Sequence, residues 1–200
     1  MFPTINGRQA DHPVSGIFLE RWSPRAFAPE AIPDDVLHTI FEASRWAPSA
    51  TNIQPWHILF ARQDTPDFAR FLEVIYPRNA RWAERASVLA FILSKKERIV
   101  QGESVPSLNR NHAFYAGAAW AYLALQSSIL GWVAHAIGGV DQDAARQKLD
   151  ISDDYHINIA VAIGRQGDKT MLPPDLQARE APTTRHPISH FVSEGVFRKP

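Results

Sequence analysis

The chain has 200 residues, 45% of them hydrophobic, a size that suits one compact domain or one large subunit of an obligate dimer. Its 21 lysines and arginines balance 21 aspartates and glutamates, so no whole-molecule field favours nucleic acid or an anionic membrane, and any anion site must be local. The absence of cysteine excludes disulfides, zinc–thiolate sites, iron–sulfur ligation and thiol nucleophiles.

Met1 to Val14 carries Asn6, Arg8, Asp11 and two prolines and lacks the apolar stretch of a secretory signal, so the expected location is cytoplasmic. From Pro33 the apolar residues Val36, Leu37, Ile40 and Phe41 recur at helical spacing. Pro48 biases Ala47 out of the α region, which predicts a helix ending near Arg45. Trp56 to Ala61 is short, aromatic and β-branched, and reads as a strand. Thr65-Pro66 has the form of a cap followed by a first-turn proline. The stripe Phe68, Phe71, Leu72 and Ile75 then predicts a surface helix that stops before Pro77.

Another short helix is expected over Arg78 to Ala86, and Ser87 to Ser94 is a continuous apolar run, the pattern of a strand buried on both faces. Lys95 to Asn109, polar and containing Gly102 and Pro106, is expected to be a loop. His112 to Val140 holds no Asp, Glu, Lys or Arg and is long enough to imitate a membrane span. Its Ala, Gly and Ser content, Gln126, His135 and a helix stop at Gly131 fit better a helix buried on nearly all sides, at a domain centre or between subunits. Asp141 can cap a helix through Leu149, and Ile157 to Ile163 reads as a buried strand ending at Gly164. Arg165 to Pro200, with five prolines and few apolar runs, is expected to be an arm with little core of its own, either partly disordered or laid along another surface such as a partner subunit. The sum is an α+β layered domain whose few strands are separated by helices.

No G-x-x-x-x-G-K-[ST], G-x-G-x-x-G or G-x-S-x-G is present, so a phosphate would need arginines rather than a glycine-rich cradle. Glu20-Arg21-Trp22-Ser23-Pro24-Arg25-Ala26-Phe27 supplies two arginines four apart with a hydroxyl between them, donors that suit a phosphate or the polar edge of a flavin. Alone, R-x-S-x-R reads more often as an exposed basic patch. Some 20 residues on follows Arg45-Trp46-Ala47-Pro48-Ser49-Ala50-Thr51-Asn52-Ile53-Gln54-Pro55-Trp56, between a helix and a strand. Together these motifs resemble the nitroreductase family of FMN enzymes, from Glu20 to about Pro187, including the uncharged helix and Thr184-Arg185-His186-Pro187.

The resemblance implies a small central mixed sheet flanked by helices, a long buried central helix, an extended C-terminal arm, and a homodimer with shared FMN sites. It assigns Arg21 and Ser23 to the FMN phosphate. Arg25 falls at the N1/C2 edge of the ring, where a positive charge stabilises the anionic reduced flavin. Pro48, Ser49, Ala50, Asn52 and Gln54 would reach the flavin of the other subunit. Ile137-Gly138-Gly139 would turn a backbone N–H toward flavin N5, glycine permitting the close approach. Arg185 would hold the phosphate, with Thr183 standing where many relatives have a second basic residue.

The implied activity is ping-pong hydride transfer from NAD(P)H through N5 to a small acceptor such as a nitroaromatic, quinone or enone, and no general acid stands out. The rival reading is a flavin store or sensor without turnover. Lys95 to Asn111, with Phe114 and Tyr115, is where acceptor choice is expected to lie. His186 and His190 are four apart but interrupted by Pro187 and have no acidic third ligand, so no metal site is expected. His57, His112, His135 and His156 read as structural, and Trp120 and Trp132 as core.

Overall fold

The computed structural model describes residues 4–99, 102 and 104–199. Strands β1 (Thr4–Ile5) and β2 (Arg8–Gln9) form a small hairpin ahead of a one-turn helix, α1 (Ile17–Glu20). Helix α2 spans Asp34–Arg45 and β3 spans Trp56–Arg62. Helix α3 (Pro66–Glu73) begins as its sequence predicts: the Thr65 hydroxyl accepts the Phe68 N–H at 3.2 Å, and Pro66 occupies the first turn, where no N–H is needed. Helix α4 covers Pro77–Ala83, followed by β4 (Val88–Lys95).

The segment expected to be a plain loop carries a short antiparallel ladder, β5 (Glu97–Arg98) with β6 (Ser107–Leu108). Two-residue strands leave no periodicity to read. Helix α5 spans His112–Ile129, β7 Val133–Ile137, α6 Gln142–Lys148, β8 Tyr155–Gly164 and α7 Pro174–Gln177. Asp141 caps α6 by accepting the Ala144 N–H at 2.9 Å.

The main sheet has the order β3-β4-β8-β7. It was expected to be mixed, yet every described pairing within the chain is antiparallel. Strands β7 and β8 are joined through the single helix α6 and still pair antiparallel, so one intervening helix does not here make the crossover that returns a strand parallel.

Both faces of the sheet are covered, and β4 serves both. Leu89, Phe91 and Leu93 join a core with Phe68, Phe71 and Trp82 of α3 and α4, whereas Val88, Ala90 and Ile92 join a second core with Leu37 and Ile40 of α2 and Ala116 and Leu123 of α5. Helix α5 is buried along one face, through Ala116, Ala119, Leu123, Ala124 and Ser127, rather than all round. Its opposite face leaves Phe114, Tyr122 and Ile129 exposed. The C-terminal segment has more core than expected in its first half, since Leu172, Leu176 and Glu180 are buried; from 183 to 199 every residue is exposed. Among the described residues no helix is long and apolar enough to cross a membrane.

Candidate active site

The extended segment after α1 is fixed to the body of the chain at several points. Arg8 is buried, and its guanidinium donates to the carbonyls of Leu19 (2.8 Å), Arg21 (2.7 Å) and Thr183 (2.9 Å), joining the helix end, the loop and the C-terminal arm. That clamp brings three arginines close together. Arg21 Nη1 donates to Ser23 Oγ at 3.2 Å, and Arg185 donates to the Thr183 hydroxyl at 3.1 Å and to the Thr183 and Thr184 carbonyls.

Burial, then the Arg185 charge, holds the Arg21 guanidinium below its ordinary pKa; Arg8 is lowered by burial, then by Arg185 and Arg21. Among the described residues none of the three forms an ion pair. Mutually repelling guanidiniums without a carboxylate are a donor set that a phosphate fits. They do not line one hollow, however: Arg21 opens onto a cavity of about 470 Å³, and Arg8 and Arg185 onto one of about 680 Å³.

Arg25 lines a third cavity, of about 410 Å³, and Ile137, Gly138 and Gly139 form part of the same wall. The sequence places these two features 112 residues apart, and β7 carries the second to the first as the free edge strand of the sheet. The turn after β7 is anchored by Tyr76 N–H donating to the Gly139 carbonyl at 2.9 Å and by a bridge between Ile75 and Val140. A Cβ on Gly139 would stand 2.4 Å from Asn79 Nδ2, so the Asn79 side chain would have to swing aside to admit one. Gly138 is exposed.

The cavity adds residues that sequence reasoning missed or discounted. Asn79 and Trp82 come from α4, and His135 from β7. The His135 Nδ1–H donates to the Pro24 carbonyl at 2.9 Å, and its ring packs on Trp82 with centroids 4.6 Å apart. Since a carbonyl only accepts, the proton resides on Nδ1. Burial first, then the charges of Arg25 and Arg21, push the His135 pKa down to about 4 against the opposing bond to Pro24. Glu180, from the segment after α7, accepts the backbone N–H groups of Arg25 (2.6 Å) and Ala26 (2.8 Å). No local pattern marks any of these four, because each acts through a partner far along the chain.

Pro48, Ser49, Ala50, Asn52 and Gln54 lie elsewhere. They precede β3, the opposite edge strand, so three strand spacings, roughly 14 Å, separate β3 from β7. Ser49 Oγ accepts the Gln54 N–H at 3.0 Å, and Gln54 Nε2 donates to the Asn52 carbonyl at 3.2 Å. Ala50, Asn52 and Gln54 are exposed, and φ is +50° at Thr51, +55° at Asn52 and +44° at Gln54. Left-handed backbone at a β-branched residue and at Gln54 is strained, and such strain persists where a surrounding structure enforces it, often at a working site.

A profile of the Nitroreductase family matches residues 19–77, the stretch containing both motifs. The nitroreductase NfnB of Mycolicibacterium smegmatis is 36% identical over 56 residues, a match spanning 28% of this chain and 23% of that protein. A crystal structure described as an oxidoreductase containing FMN is 42% identical, with a TM-score of 0.95 over 99% of this chain and 100% of the other. The chain belongs to the nitroreductase family. Two further nitroreductase-like structures show the fold at low identity. A Desulfovibrio desulfuricans protein solved in complex with FMN has a TM-score of 0.73 at 23% identity, over 94% of this chain and all of that one. A nitroreductase family protein of Clostridium difficile has a TM-score of 0.70 at 14% identity, over 93% and 100%.

Proposed function

We propose that the chain is an FMN-dependent NAD(P)H oxidoreductase of the cytoplasm, working as a homodimer with shared sites. The observation that carries this reading is the meeting of Arg25 with the Ile137-Gly138-Gly139 turn in one cavity, together with Arg21 and Arg185, which form no ion pair among the described residues. An FMN-containing oxidoreductase 42% identical along the whole chain supports it.

Arg21, Ser23 and Arg185 would hold the phosphate, and Arg25 the N1/C2 edge of the ring. Bound there, FMN would supply two-electron chemistry, accepting hydride at N5 from NAD(P)H and passing it to a small acceptor such as a nitroaromatic, quinone or enone. The backbone of the glycine turn lets the ring approach closely. Neutral His135 adds no second cation beside Arg25 and fixes the Ser23–Arg25 backbone through Pro24. The exposed strained segment Pro48 to Gln54 would complete the site of the partner subunit. The apolar face of α5, with Phe114, Tyr122 and Ile129, would be covered in the dimer.

Titration of the apoprotein with FMN and with FAD tests the assignment. Charge-assisted phosphate contacts contribute about 1.5–3 kcal/mol, so FMN should bind roughly ten- to a hundredfold tighter than FAD, and Arg21→Ala should remove much of that difference. Equal affinities would rule out the arginine cluster as a terminal phosphate site. Rapid bleaching by NADH or NADPH followed by reoxidation with a quinone separates an oxidoreductase from a flavin store.

A further inference from the structure

We propose that Glu180 is a positioning residue that sets how much positive charge Arg25 presents to the flavin, and with it the reduction potential of bound FMN. The proposal rests on the FMN reading above. Glu180 lies 155 residues from Arg25 in sequence, and its side chain is only 3% exposed. Oε1 accepts two backbone N–H groups, from Arg25 and Ala26. Oε2 has no hydrogen-bond partner among the described residues and lies 3.6 Å from Arg25 Nη1.

Two amide donors alone do not call for a buried charge. A neutral side-chain carbonyl could accept both, and burying a carboxylate is costly unless it is paired. The charge is directed at the guanidinium. At 3.6 Å the pair is an ion pair without the short forked bonds of a closed Arg–carboxylate contact, so among the described residues Glu180 does not occupy the donors of Arg25, which lines the cavity.

Reduction of the flavin consumes two electrons and one proton, FMN + 2e⁻ + H⁺ giving the singly negative reduced form. Arg25 favours that charge at the ring edge, and Glu180 opposes it by offsetting part of the Arg25 field in a poorly screened interior. The carboxylate therefore keeps the potential below what Arg25 alone would produce.

The test is reductive titration against a reference dye, with the holoprotein in wild-type, Glu180→Gln and Arg25→Gln forms. Glutamine keeps an acceptor oxygen for the two amides and deletes the charge. Glu180→Gln should favour reduced over oxidised FMN by about tenfold, an upward shift of about 30 mV for a two-electron couple. Arg25→Gln should move the potential down. A purely structural role predicts no shift for Glu180→Gln, and an unchanged or lowered potential overturns the proposal while a downward shift in Arg25→Gln leaves the flavin reading intact. If Arg25→Gln is also silent, the position of Arg25 beside the ring is what has failed. Amide hydrogen exchange in the wild-type protein needs no variant: the Arg25 and Ala26 amides should be protected, and rapid exchange at both would remove the anchor itself.

Discussion

His135 shows how one ring can serve stability and site chemistry together. Its pKa of about 4 lies below the ordinary 6.5, so between these values the unfolded chain binds a proton that the folded chain refuses. The neutral ring therefore contributes stability above pH 6.5 that is lost as pH falls toward 4, at about 1.4 kcal/mol per pH unit and up to roughly 3 kcal/mol in all. Protonation would also set a third cation beside Arg25 and Arg21. His135→Asn retains an N–H donor able to reach Pro24 but cannot titrate. Thermal melts at pH 7 and pH 4.5 should show a smaller acid-induced loss in the variant than in the wild type. Equal losses would mean that His135 does not sense acid in the folded chain.

At the scale of elements, the site depends on a crossing between the segment after β8 and the segment after α1. Ala28 N–H donates to the Arg165 carbonyl at 2.9 Å and Gly167 N–H to the Ala26 carbonyl at 2.8 Å, with a bridge between Phe27 and Gln166. This crossing aligns the backbone next to Arg25 and brings the chain back toward Glu180. A Cβ on Gly167 would lie 2.6–2.8 Å from backbone atoms of Phe27 and Ala28, which cannot swing aside as a side chain can. Gly167→Ala should thus cost about 1–3 kcal/mol, lowering Tm by roughly 2–4 °C per kcal/mol. It should also weaken FMN binding by displacing the Arg25 segment. A melting temperature equal to the wild type's would show that the crossing has slack.

Which elements were legible in sequence follows from the same physics. Helices α2, α3 and α6 announce themselves by apolar spacing and by the Thr65 and Asp141 caps, and β4 and β8 by continuous apolar runs. Strand β7 was hidden because the uncharged sequence runs on from α5 across Gly131 without a change of composition. The ladders β1–β2 and β5–β6 involve two residues a side, too few to show alternation. The motifs around Arg21 and Pro48 stand out in the sequence because their residues are neighbours there, although the Pro48 segment precedes the sheet edge opposite β7. Arg8, Asn79, His135 and Glu180 do not, since their meaning comes from carbonyls, amides and rings supplied by distant segments.

For the whole molecule, the sheet order has a consequence for assembly. Arg25 lines the same cavity as the glycine turn after β7, and Pro48 to Gln54 precede β3 at the opposite edge, so the proposed shared site would draw its two sets of flavin contacts from two chains. A twofold partner that packs on the exposed Phe114, Tyr122 and Ile129 face of α5 could offer its own Pro48 to Gln54 segment to the β7 side of the first. Two individually inactive variants, Arg21→Ala/Arg25→Ala and Asn52→Ala/Gln54→Ala, can then be mixed under conditions that exchange subunits. In a mixed dimer with shared sites, one site collects all four substitutions and the other none, so activity should return toward one working site per mixed dimer. If each chain built its own site, every site would carry one pair of substitutions and mixing would restore nothing. Subunit exchange is checked independently with differently tagged chains. No recovery despite proven exchange would remove the shared-site arrangement, while the FMN assignment would still rest on the titrations with FMN and FAD.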